Sequence, residues 1–581
     1  MPVTSASTER RITAIGVIIL ALVGVIGLRL IYIQIIKHSS YKAQASASQS
    51  RKFAIPAQRG QIYAYDGDAV VPLVLNETFK TVYADPSLIK NKEAVATALN
   101  EALGGKKSDY LTKLKTKGNY VILAQKVPSA AGERLVKKNL LGVGITDQVY
   151  RTYPEGDLGA QVLGFVNSDG KGQYGVEGYM NKELGGVNGL RQVKTDTRGN
   201  PIAIADSVDK PATDGKSYVL TIDRNIQAQA EQALEAGVKN VGAKSGSVVI
   251  MDPNNGAIRA MANYPTFYPA DYSKITDYAI FGNSVVTNQF EPGSGFKMFT
   301  MSAGLDSGKI KPETTFDDTG EVKLDGFIIK NSAEKKWGVQ NMVDVIEKSL
   351  NTGVIFILRS MGGNPSNINL AGKKIFHGYI QKYGFGKTTG VEQSGEAAGV
   401  VNKPSKVSGN DVNYANMTFG QGISSTMIQM VAAAAAIANG GKLYQPQLVA
   451  GIKEEGGVTS FSPKVINSQV VSKQAAAETV AMMEKVVQGK YGSGYKARMP
   501  GYTIAGKTGT SQIPNPNGKG YREDKNIGTF IGFAPSTSPK FIMMVRINEP
   551  NVSGFAESTT VPVFADIAKW LVTYMQIPPS S

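Results

Sequence analysis

From Ile12 to Leu28 the chain reads ITAIGVIILALVGVIGL without a charge, and it runs on through Arg29 into LIYIQII before Lys37. A membrane-spanning helix needs about 20 predominantly apolar residues, so residues 12–36 read as a transmembrane anchor. Arg29 interrupts the run, but a long arginine near a helix end can carry its charge out to the interface. Arg10 and Arg11 precede the segment. By the positive-inside rule residues 1–11 form a cytoplasmic tail and the chain from residue 37 onward lies outside the cell. A cleaved signal peptide is the competing reading, since Ala43-Gln44-Ala45 has the small-x-small form of a cleavage site. That site lies well past the end of an apolar stretch longer than a usual signal core, which favours a retained anchor. No second segment reads as spanning: the Ala-rich run Val431–Ala438 is too short and is expected to be a buried helix.

The 581 residues exceed one ordinary domain, and 42% apolar with 19% charged residues allows a substantial core. There is no cysteine, which excludes disulfides, thiolate catalysis and Cys-ligated metals. With only His38 and His377, a multi-histidine zinc site is impossible, and a Ser-His-Asp triad would have to use a histidine that lies beside no serine motif. The net charge of +16 points to an anionic surface or polymer as partner. Nucleic acid is not the expected one: there is no zinc-finger spacing, no aromatic-rich RNA-binding signature and no dense arginine stripe.

Residues 37–215 read as one unit of mixed strands and turns, with turn signals at Tyr65-Asp66-Gly67 and Ser168-Asp169-Gly170. The polar segment Asp206–Gly215 marks its boundary with a second unit, 216–581. In the second unit Ile226, Ala230, Leu234 and Val238 recur at helical spacing behind a capping Asp223. Ser247–Asp252 and Ala257–Ala262 flank Pro253-Asn254-Asn255-Gly256 as a hairpin, and Thr529–Ala534 with Lys540–Ile547 flank another turn. A last helix is expected from about Val563 to Met575. Strands at both ends with helices between predict an α+β domain, helices packed on an antiparallel sheet.

Three short motifs fall in order in this unit. In Glu291-Pro292-Gly293-Ser294-Gly295-Phe296-Lys297 the Pro-Gly pair breaks the preceding structure, and a helix beginning at the serine places Ser294 and Lys297 one turn apart on one face. A serine hydroxyl needs a base to become a nucleophile, and a lysine serves when burial or a nearby cation lowers its pKa. Alone, Ser-x-x-Lys arises by chance in most long chains. Ser349-Leu350-Asn351 offers a hydroxyl for proton relay and an amide for holding substrate, although by itself it would pass for a turn or cap. Lys507-Thr508-Gly509-Thr510 follows the strand-like Tyr502-Thr503-Ile504-Ala505. Lys507 supplies charge for a carboxylate, and Gly509 lets a substrate approach the backbone closely. The ordered set Ser-x-x-Lys, Ser-Asp-Asn and Lys-Thr-Gly is that of β-lactamases and penicillin-binding proteins; here Leu350 stands at the middle Asp, compatible with the broader Ser-x-Asn form.

On these motifs the chain resembles the class B penicillin-binding proteins, the single-activity peptidoglycan D,D-transpeptidases. The likeness extends to Arg59-Gly60-Gln61-Ile62, Ala160–Val166 and Gly175-Val176-Glu177-Gly178, which are similar to the family's N-terminal pedestal (dimerisation-like) domain. It also takes in Leu220-Thr221-Ile222-Asp223, Met251-Asp252-Pro253 and Phe419-Gly420-Gln421-Gly422, similar to its penicillin-binding transpeptidase domain. The resemblance implies a fold of the serine β-lactamase and D,D-peptidase kind. It implies Ser294 as nucleophile on the penultimate D-Ala carbonyl of a stem peptide, Lys297 as base, Ser349 as proton relay and Asn351 as substrate anchor. The backbone N–H groups of Ser294 and Thr510 would form the oxyanion hole, while Lys507, Thr508 and Thr510 hold the terminal carboxylate. β-Lactams would acylate the same serine, and neither metal nor organic cofactor is called for. Expected partners are a membrane-embedded wall polymerase and division or elongation proteins; the Glu-Pro-Gly-Ser context and the length lean to division. Gly295 departs from the Thr or Val common in the family. A D,D-carboxypeptidase would differ only in using water as acceptor, and a β-lactamase would need a glutamate that activates water. A non-enzymatic scaffold or β-lactam sensor fits less well, because every expected side chain is present.

Overall fold

The computed structural model describes residues 5–194, 208–332, 334–515, 520–552 and 555–580. The first residues of the expected cytoplasmic tail and of the Asp206–Gly215 boundary lie outside them. Contacts divide the chain into two compact units: residues 1–59 with 185–215, and residues 60–184 with 216–581.

The first unit opens with α1, Ser5–Ile31, whose axis continues through a single π-helical stretch, Tyr32–Ile36. Within Thr8–Ile36 the most apolar 18-residue stretch has a mean hydropathy of 2.7 and is unburied. A helix of 29 residues is about 43 Å long at 1.5 Å per residue, enough to cross a bilayer by length and composition. A helix over His38–Gln49 carries the small-x-small triplet, and the unit also holds a three-stranded antiparallel sheet of Ser50–Ile55, Gly189–Lys194 and Val208–Lys210.

The second unit is α+β, as expected. The strand pair β1 (Ile62–Asp66) and β2 (Ala69–Ala84) turns at Gly67, whose φ of +59° suits a glycine. β1 pairs in parallel with β3 (Ser217–Asp223), so the strand that follows the sequence boundary joins a sheet made largely of earlier residues. The Arg59-Gly60 motif has a steric reason: a Cβ on Gly60 would lie 1.9 Å from Lys216 O. Glu177, from the Gly-Val-Glu-Gly motif, forms a buried ion pair at 2.7 Å with Arg151, which also donates to Asn76 Oδ1 and Gly60 O. Breaking such a pair from one side would leave an uncompensated buried charge, costing about 3–5 kcal/mol.

Asp223 caps α2 (Arg224–Asn240), accepting from the N–H groups of Asn225 and Ile226. A second sheet in this unit has five antiparallel strands. β4 (Ser245–Met251) pairs with β5 (Ile258–Tyr264), as the expected hairpin, and with the later β8, so that the sheet order is β5-β4-β8-β7-β6. Here β6 is Ala505–Pro514, β7 Tyr521–Ala534 and β8 Phe541–Asn548. Alternation sorts their side chains: Val248, Ile250, Met543 and Val545 enter one core with α2 and the last helix, while Val249, Met251, Ile542 and Met544 enter the larger core on the other face. The larger core contains α3 (Lys297–Asp306), α4 (Asn351–Met361) and α5 (Met427–Ala438), the last fully buried as expected.

Two boundaries differ from the sequence reading. The last helix, α6, runs Ala556–Tyr574 and starts two turns before Val563. Ala556, Thr559, Thr560 and Val561 are buried, and this packing outweighs the loss of one backbone bond at Pro562. Lys507–Thr510 does not follow a strand over Tyr502–Ala505 but lies inside β6, the edge strand, paired with Gly528–Ile531.

Candidate active site

Ser294 sits in a 3-10 turn, Gly293–Phe296, that feeds directly into α3. Gly293 has φ +56°, and a Cβ there would lie 2.7 Å from Thr510 O, so the turn and β6 are in close contact. Neighbouring residues brace the turn. Gly293 N–H donates to Gly420 O at 3.0 Å. The Glu291 carboxylate accepts from Gly422 N–H (2.8 Å) and Tyr521 Oη–H (3.0 Å), and Ser511 Oγ–H donates to Glu291 O. Burial and Glu291 together push the Tyr521 phenol up to about 12. The half-buried Ser294 hydroxyl has no hydrogen-bond partner among the described residues.

Two lysines meet behind it. Lys297 and Lys507 are both 0% exposed. Lys297 Nζ donates to Ser349 O at 2.6 Å and lies 3.1 Å from Ser349 Oγ. Lys507 Nζ approaches the same Oγ at 3.0 Å and Thr508 O at 3.3 Å. Burial, then the charge of Lys507, pushes Lys297 well below the ordinary lysine range; burial alone pushes Lys507 down to about 7. Two ammonium groups around one hydroxyl repel, so one amine is held neutral. With Lys297 neutral, Lys507 can donate to Ser349 Oγ while the Ser349 hydroxyl turns its proton to the Lys297 lone pair, an arrangement able to carry a proton. Ser349 has φ +57°, a conformation that costs a non-glycine residue about 1–3 kcal/mol and is retained chiefly at functional positions.

Asn351 opens α4 and its Nδ2 donates to Lys330 O at 2.7 Å. Ser294, Ser349, Asn351, Thr508 and Thr510 share the lining of one cleft of about 750 Å³. Lys297 and Lys507 stand behind that lining. Gly509 has a packing part as well: a Cβ on it would lie 2.4 Å from Thr529 Oγ1, 2.8 Å from Pro292 O and 3.2 Å from Gly295 N. Its missing side chain makes room for the turn that carries Ser294. Ser493, which no motif singled out, bonds Thr508 Oγ1 at 2.5 Å and also lines the cleft.

The two regions match known families. Residues 246–569 match the penicillin binding protein transpeptidase domain, and residues 54–220 the penicillin-binding protein dimerisation domain. The chain belongs to the class B penicillin-binding proteins, of the division type. It is 30% identical to stage V sporulation protein D of Bacillus subtilis, covering 98% of this chain and 86% of that one. Identity is likewise 30% to peptidoglycan D,D-transpeptidase FtsI of Escherichia coli K12, over 97% and 92% of the two chains. Among solved structures, penicillin binding protein 2X of Streptococcus thermophilus superposes with a TM-score of 0.74 at 26% identity, covering 91% of this chain and 80% of that one. Penicillin binding protein 3 of Mycobacterium tuberculosis, complexed with aztreonam, gives 0.69 at 26% identity over 91% and 98%.

Proposed function

We propose that the chain is a peptidoglycan D,D-transpeptidase, held in the cytoplasmic membrane by α1 with its N-terminus inside, and carrying an extracytoplasmic catalytic domain, 216–581, on an N-terminal pedestal. One observation carries the assignment of the site: two buried lysines converge on Ser349 Oγ beside Ser294 in a single cleft.

Ser294 Oγ attacks the penultimate D-Ala carbonyl of a stem peptide and its proton passes to neutral Lys297. The N–H groups of Ser294 and Thr510 hold the oxyanion; loss of one such donor costs about 10²–10³ in rate. Collapse breaks the peptide bond, Ser349 hands a proton to the departing D-Ala amine, and an acyl-serine remains. The amine of a neighbouring stem attacks that ester, its proton leaves by the same route, and Ser294 is regenerated with a new peptide cross-link. Lys507, Thr508 and Thr510 bind the terminal carboxylate, Gly509 keeps β6 against the nucleophile turn, and Asn351 holds the substrate amide. β-Lactams acylate Ser294 as substrate mimics. A membrane-embedded wall polymerase and proteins of the division machinery are the expected partners, in line with the FtsI relative.

The test uses the full chain in detergent with uncross-linked glycan strands bearing pentapeptide stems. D-Ala release matched by cross-linked dimers is expected. D-Ala release without dimers would assign a carboxypeptidase instead, and no release would contradict the proposal.

A further inference from the structure

Asp318 is a buried carboxylate without an ion-pair partner among the described residues. It is satisfied by hydrogen bonds alone: from Asn331 Nδ2 to both oxygens (3.0 and 3.2 Å), Thr352 Oγ1 (2.7 Å), Gly320 N–H (3.1 Å) and Trp337 N–H (3.2 Å). This fixes which end of the Asn331 amide faces Asp318. The other end, Oδ1, accepts from Asn351 N–H at 2.8 Å and Thr352 N–H at 3.2 Å. Those are orphan donors in the first turn of α4, and the residue at its N-cap is Leu350, which has no side-chain acceptor. The cap is therefore delivered from 20 residues away in sequence. The same stretch supplies Lys330 O to Asn351 Nδ2. Residues 330 and 331 end the hairpin of Glu321–Leu324 and Phe327–Lys330, whose Phe327 and Ile328 stand exposed at the cleft.

We propose that Asn331, locked by Asp318, is a positioning residue for the reaction: it sets the first turn of α4, and with it the placement of Asn351 and the left-handed Ser349. Neither residue touches the reacting atoms. A carboxylate buried without a cation is costly to keep, and here its bonds from Asn331 and Trp337 hold the loop that carries Asn331, its bond from Thr352 ties that loop to the first turn of α4, and only the Gly320 bond is local. The inference rests on Ser294 being the acylated serine.

The test is the second-order rate of acylation by a fluorescent penicillin, measured on the full chain in detergent for wild type, Asn331→Asp and Asp318→Asn, with thermal melts alongside. Asn331→Asp brings two carboxyl groups within hydrogen-bond distance, and such a pair cannot both ionise freely. While they share a proton, the introduced carboxyl can still donate to Asp318; once both ionise, the lock opens. The ratio of variant to wild-type rate is expected to rise as pH falls: about tenfold or more below unity near pH 8 and within about threefold near pH 5.5. The charged side chains on the surrounding elements, Asp317, Lys330, Glu334, Lys335, Lys336, Asp344 and Lys348, are common to both proteins, so the ratio removes their own titration from the profile, and their charges set only where the introduced pair ionises. Asp318→Asn keeps an acceptor and should lower the rate by a pH-independent factor. A constant ratio for Asn331→Asp, or rates near pH 8 within about twofold of wild type for either variant, would overturn the proposal; should Asn331→Asp fail to fold, Asp318→Asn decides. Absence of labelling in the wild type would sink the assignment of Ser294, whereas wild-type labelling indifferent to Asn331 sinks only the positioning role.

Discussion

Replacing Gly509 by alanine tests whether β6 and the nucleophile turn act as one packed unit. The added methyl would sit 2.4 Å from Thr529 Oγ1, 2.8 Å from Pro292 O and 3.2 Å from Gly295 N. Two of these three atoms belong to the backbone of the Ser294 turn, which is pinned through Gly293 to Gly420 and through Glu291 to Gly422 and Tyr521. Relief therefore requires the turn and the strand to part by several tenths of an ångström. Overpacking of this kind costs about 1–3 kcal/mol, and a shift approaching 1 Å in a catalytic constellation can cost about 10² in rate. Gly509→Ala should fold with a lowered melting temperature and label with penicillin ten to about a hundred times more slowly. Thr529→Ala removes the tightest contact and spares the Pro292 one, so the double variant should recover part of both losses. The reasoning is refuted if Gly509→Ala labels at the wild-type rate, or if Thr529→Ala gives no recovery; the latter would return Gly509 to a role in admitting substrate.

Gly295→Ala should behave in the opposite way: the nearest atom to its Cβ would be Met430 Cε at 3.7 Å, so the substitution should raise unfolding free energy by about 0.4–1 kcal/mol in chemical denaturation, and a loss of stability would contradict this. The rate of acylation should pass through a maximum with pH. It falls on the acid side as Lys297 takes up a proton, and on the alkaline side as Lys507, pushed down to about 7, loses the charge that binds carboxylate; a flat profile from about pH 6 to 9 would count against the paired-lysine reading. Lys507 binds more protons unfolded than folded above about pH 7, and Lys297 is shifted in the same direction, so the contribution of Lys507 to stability should increase from there toward the ordinary lysine pKa of about 10.4, read by denaturant titration. Asp223→Ala removes the cap of α2 and the acceptor of Tyr574 Oη; about 0.5–2 kcal/mol of stability should be lost with penicillin labelling unchanged.

The chemistry-bearing residues were legible because their spacing is local. Ser294 and Lys297 lie one helical turn apart, Asp223 precedes its periodic helix directly, and the hairpins around residues 253–256 and 535–540 carry their turns between alternating apolar runs. What brings the motifs together is not local. Lys507 reaches Ser349 across 158 residues, and Glu291 reaches Tyr521 across 230. Asp318, Asn331 and Ser493 are single polar residues without periodicity, and only the folded chain reveals that they face Thr352, Asn351 and Thr508. Gly509 was visible as a glycine, but which backbone it makes room for depended on the register of β6 against the Ser294 turn. The early start of α6 escaped because Pro562 and the Ser-Thr-Thr run before it weaken local helix propensity, while burial of Thr559, Thr560 and Val561 holds those turns in place.

The most direct test of the central claim is peptide mapping by mass spectrometry after incubation of the full chain with benzylpenicillin. The account predicts one penicilloyl adduct, on the peptide containing Ser294, absent from Ser294→Ala. An adduct on another serine, or its persistence in Ser294→Ala, would contradict it.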